Sequence, residues 1–120
     1  MTPILVAHRG YMHRYPENSI SGIKAAIDAG ACMIEFDVQM TADQKFVLLH
    51  DDDFKRTAGI DASVFDKNFE SSISVHEPER FEEQFKSEPL PRLEQVVEIV
   101  FDARLRIRNL AHTSDVGQRH

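Results

Sequence analysis

The sequence predicts an α/β fold organised around a parallel sheet. Two patterns carry that expectation. First, the apolar run Pro3 to Ala7 is followed by a helix-period segment and then by an alternating segment, giving strand, helix, strand in that order. Such a unit sets its two strands parallel, joined by a right-handed crossover. Second, polar residues gather where strands should end: His8 and Arg9 close the first apolar run, and His50 and Asp51 close a later one. With 120 residues, 42% hydrophobic and 28% charged, the chain has the composition of one modest globular core.

Each element follows from its local pattern. Pro3 to Ala7 reads as a strand buried on both faces, because it is an unbroken apolar run. Asn18 or Ser19 caps a helix in which Ile20, Ile23, Ala26 and Ile27 share one face, and Gly30 ends it in the left-handed conformation. In "CMIEFDVQM", Ile34, Phe36 and Val38 alternate with Glu35, Asp37 and Gln39, the mark of a strand with one apolar and one polar face. "KFVLLH" is a third strand ending on His50. The link "TADQ" is too short for a helix, so it is either a descending extended segment or a tight turn. With Asp43-Gln44 as a two-residue turn, Asp37 lies across from His50. Residues 51–89 lose periodicity, and "HEPERFEEQFKSEP" reads as a solvated, charged loop of the kind that is functional or poorly ordered. Pro91 begins a helix with an apolar stripe of Leu93, Val96, Val97 and Val100, and "ARLRI" opens a fourth strand. After Ile107 the period is lost and an unpacked tail is expected.

Several function classes are disfavoured at this level. The formal net charge of −6 argues against a nucleic acid or an acidic membrane surface as partner. The apolar run in "MTPILVAHRG" lacks a basic lead-in and is too short for a signal peptide or a spanning helix. The one cysteine, Cys32, excludes an intramolecular disulfide and suggests a reducing, cytoplasmic setting. No paired ligand spacing accompanies it, so zinc is not indicated, and it reads as a buried small hydrophobe. There are no internal repeats.

The candidate chemistry lies at the strand ends, where parallel α/β folds place their sites. Glu35 and Asp37, two apart on a strand, point the same way and suit a hard divalent cation. His8 and His50, from different strands, suit proton transfer near neutral pH. Arg9 offers a planar charged fork for phosphate oxygens. Together these residues point to cleavage of a phosphate ester. The plainer readings are a structural strand-end histidine, the wet face of an antiparallel strand for Glu35 and Asp37, and a simple helix start for Pro16-Glu17-Asn18-Ser19. His13, His76, His112 and His120 are read as surface residues.

The segments "AHRGYMHRYPENS", "IEFDVQMTAD", "VLLHDDDFKRTAG" and "LPRLEQVVEI" resemble, in that order, the amino-terminal half of the glycerophosphodiester phosphodiesterase family. The resemblance runs from about Ile4 to Ile107. It implies a partial TIM-type (β/α) barrel, roughly the first three to four strands with their helices. Within it, residues 51–90 form an insertion-like region and 108–120 an aperiodic tail. It also implies a hydrolase with one divalent cation, Mg²⁺ or Ca²⁺, which releases sn-glycerol 3-phosphate and an alcohol from deacylated phospholipids. His8 and His50 match the acid–base histidines, Arg9 the phosphate-contacting arginine, and Glu35 and Asp37 two metal ligands. Glu17 and Asn18 match the loop lining the substrate pocket. His8 is assigned as base and His50 as acid, although without a substrate pose the two roles are interchangeable.

Two departures shape the expectation of activity. A complete barrel needs on the order of 250 residues, which makes the chain read as truncated. Where the family carries a glutamate ligand closely followed by a lysine, this sequence has "RIRNLAH", with Arg106 and Arg108. Gln44 also stands where the family usually has a glycine. The chain is therefore expected to turn over poorly on its own, and to self-associate through exposed barrel edges. The alternative is a catalytically inactive remnant serving as a binding or assembly module. A phosphoinositide- or sphingomyelin-cleaving relative is disfavoured by the Pro-Glu-Asn-Ser loop and the Thr-Ala-Asp turn.

Overall fold

The structure, a computed structural model, describes residues 6–70, 72–75, 77–81, 84–85 and 88–103, and the backbone of 106–111. Its centre is β2 (Met33–Met40), to which three other strands pair. β1 (Val6–His8) runs parallel to it, with Val6 beside Met33 and His8 beside Glu35. β4 (Arg106–Ala111) is also parallel and spans Met33 to Val38. β3 (Phe46–Leu48) is antiparallel and covers Val38 to Met40. Since β4 occupies one edge of β2 as far as Val38, β1 and β3 share the other edge, end to end. The fourth strand continues past Ile107 to Ala111, in the segment expected to be an unpacked tail, because β2 offers it an open parallel edge. Residues 112–120 lie outside the described residues, as do His76, His112 and His120.

The alternation in β2 sorts its side chains as the sequence predicts. Ile34, Phe36 and Val38 are buried against Ile23 of α1 (Ile20–Asp28) and Val96 and Val100 of α4 (Leu93–Asp102). Ser19 caps α1, its hydroxyl accepting from Gly22 N–H at 3.0 Å, and Gly30 follows the helix at φ 91°. At α4 the Gln95 side chain accepts from the Arg92 N–H at 2.9 Å, closing the first turn. Val97, placed on the apolar stripe by the sequence, is 41% exposed, because Val96 and Val100 carry the packed face.

Three expectations about packing are corrected. β1 is not buried on both faces: Val6 and His8 are exposed, because among the described residues β2 is its only strand partner. Pro3 to Leu5 lie outside the described residues. Cys32 is exposed, standing in the turn before β2 and not within a packed element. The segment after His50 is more than a solvated loop. Phe54, Val64, Ile73, Val75 and Leu90 pack with Val47 and Leu49 of the β3 region into a second core. Its short helices are α2 (Lys55–Ala58), whose Ala58 packs on that core, and α3 (Pro78–Phe81), which lies against α2.

The β2–β3 link is a three-residue hairpin loop. Thr41 N–H donates to Lys45 O at 2.9 Å, and Gln44 N–H donates to Thr41 O at 3.0 Å. Gln44 takes φ 64°, the left-handed position that closes such a loop and favours glycine. The extra loop residue shifts the register by one, so that Asp37 lies across from Leu49, whose N–H donates to Asp37 O at 3.1 Å. Gln44→Gly removes the left-handed strain of a side-chain-bearing residue. It should raise stability by about 1 kcal/mol, read as a higher urea midpoint at unchanged m-value.

Candidate active site

The site forms where β1 and β3 meet on β2. β1 pairing ends as Arg9 N–H donates to Glu35 O, and the chain leaves through Arg9 and Gly10 at φ 54° and 78°. Gly10 is required here, because a Cβ would stand 3.1 Å from both Gly22 C and Ile23 N of α1. The loop returns at Asn18, whose N–H donates to Arg9 O at 2.9 Å. Asn18 is also left-handed, at φ 54°, a conformation its short polar side chain tolerates. From there it reaches Asp37 twice: Asp37 N–H donates to Asn18 Oδ1, and Asn18 Nδ2 donates to Asp37 Oδ2, both at 3.2 Å.

A charged network spreads from this joint. Arg9 Nη1 lies 2.7 Å from Glu17 Oε2, and its Nε lies 3.3 Å from Asp37 Oδ2. His8 Nε2 stands 3.2 Å from Glu35 Oε1. His50 Nδ1 is 3.1 Å from Asp51 Oδ1, and Gln39 Nε2 donates to the carbonyls of His50 and Asp51 at 3.3 and 3.1 Å. Arg56 joins the two sides. Its Nε and Nη2 hold Asp51 at 3.0 and 2.9 Å, and the same Nη2 also bonds Glu17. Glu17 and Asp37 are 2% and 1% exposed, and the guanidinium groups that face them offset the cost of burying carboxylates.

The structure thus places all seven residues singled out from the sequence on the loops and strands around this joint. Arg9, Glu17, Asn18 and Asp37 interact directly, His8 pairs with Glu35, and His50 connects through Asp51 and Arg56 to Glu17. Among the described residues, no three His, Cys, Asp or Glu side chains cluster to enclose a metal. The β4 positions in register with Glu35 and Asp37 are Arg108 and Leu110, so that strand adds no carboxylate beside them. Glu35 and Asp37 are the β2 carboxylates from which a hard-cation site would be built, and each already has protein partners, His8 on Glu35 and Arg9 with Asn18 on Asp37.

The chain matches the model of the glycerophosphoryl diester phosphodiesterase family over residues 8–120. It belongs to that family. A glycerophosphodiester phosphodiesterase of Caldanaerobacter subterraneus is 36% identical over 85% of this chain and 42% of its own length. The solved glycerophosphodiester phosphodiesterase of Thermotoga maritima is 31% identical with a TM-score of 0.71, the match covering 94% of this chain and 46% of that one. The fold also matches a phosphodiesterase of Oleispira antarctica, solved in complex with the product sn-glycerol-3-phosphate. That match has 22% identity and a TM-score of 0.84, covering 92% of this chain and 44% of that one. The chain therefore spans under half the length of these relatives, and its α/β sheet corresponds to about half of their barrels.

Sequence reasoning within the family motifs missed two participants. Arg56 lies inside the quoted "VLLHDDDFKRTAG", yet nothing local shows that it reaches Glu17. Glu77 sits in the charged insertion and looks like any surface acid, but it is 3% exposed. Burial, with the Glu17 charge nearby, raises the Glu77 carboxyl above its ordinary value. Hydrogen bonds from Arg56 hold the Asp51 carboxyl below its own.

Two outcomes follow from this geometry. Asn18→Ala removes both bonds to Asp37 and leaves a Cβ-bearing residue strained at φ 54°, which should cost about 2–3 kcal/mol in chemical denaturation. Arg56→Ala removes the partner that depresses Asp51. Stabilisation from a depressed carboxyl is present above its unfolded pKa and is lost as pH falls through the folded value. The stability deficit of Arg56→Ala should therefore be full at pH 7 and shrink as pH drops below 3.8, the ordinary Asp51 value, when denaturation is compared across pH.

Proposed function

We propose that this chain carries the histidine–arginine half of a glycerophosphodiester hydrolase site, which cleaves glycerophosphodiesters to sn-glycerol 3-phosphate and an alcohol. The observation that carries the reading is the gathering of His8, Arg9, Glu17, Asn18, Glu35, Asp37 and His50 about the β1–β3 meeting point, Arg9, Glu17, Asn18 and Asp37 in direct contact. Curated relatives bearing the glycerophosphodiester phosphodiesterase name support the substrate class. The single cysteine suits a reducing, cytoplasmic setting.

Each residue has a task in this reading. Arg9, aimed by Glu17 and Asp37, presents its fork to the phosphate oxygens and stabilises the charge that develops there. Glu35 orients the His8 ring, which takes the proton from the attacking oxygen. Asp51 accepts the hydrogen bond of His50 Nδ1–H and holds the protonated ring, so that Nε2–H delivers its proton to the departing alkoxide and the ring is left neutral. The turn at Glu17 and Asn18, buried behind the site, backs the glycerol pocket by fixing Arg9 and Asp37. A divalent cation, Mg²⁺ or Ca²⁺, held by Glu35 and Asp37 would draw charge from the phosphoryl oxygens.

A second reading, a binding module without turnover, is favoured by the two-carboxylate donor set and by Arg108 in register with Glu35. One assay separates the two: release of glycerol 3-phosphate from glycerophosphocholine, with added Mg²⁺ or Ca²⁺ and with chelator. Slow, chelator-sensitive turnover that falls by about 10²-fold or more in His8→Ala and in His50→Ala is the expected result. A folded chain that binds glycerol 3-phosphate without turnover supports the second reading. Absence of both binding and turnover would overturn the proposal.

A further inference from the structure

We propose that Glu77, supplied by the insertion, is a positioning residue for the glycerophosphoryl pocket, holding the Glu17–Asn18 turn and Arg56 in place by the reach of its carboxylate. The inference rests on reading that pocket as the glycerophosphodiester site. Three side-chain contacts and one backbone contact meet at this residue. Glu17 N–H donates to Oε2 at 3.3 Å, Arg80 Nη1 to the same oxygen at 3.1 Å, and Arg56 Nη1 to Oε1 at 3.4 Å. Its own backbone N–H donates to Thr57 O at 2.9 Å, and the residue is held at φ 47°, a left-handed strain that only a firmly fixed backbone sustains.

The grip extends along the whole loop that leaves β1. Arg80 Nη2 donates to Met12 O at 2.7 Å, so α3 holds the start of that loop while Glu77 holds its end. Between them Tyr15 packs on Phe85, and Phe85 meets Phe81 edge to face at 5.0 Å. Glu17, thus fixed through its backbone, aims Arg9 with its side chain. Arg56, fixed by the same carboxylate, holds the Asp51 that pairs with His50. Glu77 touches no predicted reacting group itself, yet it constrains the supports of both sides of the site.

Reach and charge make opposite predictions, which gives the test. Glu77→Asp keeps the charge but shortens the arm by one methylene, while Glu77→Gln keeps the length and the acceptor facing Glu17 and Arg80. In Gln the amide NH₂ faces Arg56, giving up the longest of the three side-chain contacts. Amide hydrogen exchange at Glu17 and the affinity for sn-glycerol 3-phosphate, by NMR titration, are measured for all three proteins. The expected result is that Glu77→Asp speeds Glu17 exchange and weakens binding by about ten-fold, while Glu77→Gln stays within about three-fold of wild type. The reverse order, with Asp tolerated and Gln impaired, overturns the proposal in favour of a purely charge-based role, as do two variants that both match wild type. If the wild-type chain neither binds nor produces glycerol 3-phosphate, the function proposal fails. Glu17 exchange alone then decides whether the grip exists.

Discussion

The site depends on how one edge of β2 is shared between two strands. β1 pairs with it up to Glu35 and β3 takes over beyond Asp37, which leaves a break that neither strand fills. Asn18 fills it, its carboxamide accepting the Asp37 N–H as a strand backbone would and donating to the Asp37 carboxylate. The left-handed turns at Arg9, Gly10 and Asn18 are what bring that side chain back to the break. The proposed catalytic and phosphate-binding residues come from both sides of this joint: His8 and Arg9 leave β1 there, and His50 arrives from β3.

Electrostatic balance then limits which charges can be buried around the joint. Glu17 is nearly inaccessible and would be a large desolvation penalty alone, but Arg9 and Arg56 approach it from opposite sides of the site. Those two guanidiniums come from separate packing units. Arg9 follows a strand of the helix-covered sheet, and Arg56 belongs to the insertion with its own core of Phe54, Val64, Ile73, Val75 and Leu90. The carboxylate between them ties the two units together, so folding of the insertion and assembly of the site are linked.

What was legible in the sequence is what local chemistry determines. The alternation of Ile34, Phe36 and Val38 with Glu35, Asp37 and Gln39 named both faces of β2, and Ser19 before an apolar face marked α1. Of the proposed site residues, His8, Glu35, Asp37 and His50 were legible because they interrupt or end apolar runs. The insertion core was not, since its members are spread over 37 positions, from Phe54 to Leu90, without a period. The hairpin register was misplaced because Gln44, with no glycine to signal it, takes the left-handed position. The exposure of β1 and Cys32 is a matter of what packs nearby, which no local pattern encodes. Glu77 illustrates the same limit: an acid in a charged run carries no sign that its neighbours will bury it.

The three-residue loop of the hairpin has a consequence for geometry at a distance. β1 and β3 are pinned independently to the same edge of β2, and they approach each other from opposite directions. His8 is located by the parallel register alone, whereas His50 is located by the number of residues between Thr41 and Lys45. The loop therefore works as a gauge: its length sets how far His50 travels toward His8 along β2. Lengthening or shortening it would retune the separation of the two imidazoles while leaving the Arg9–Asn18 side of the pocket where it stands.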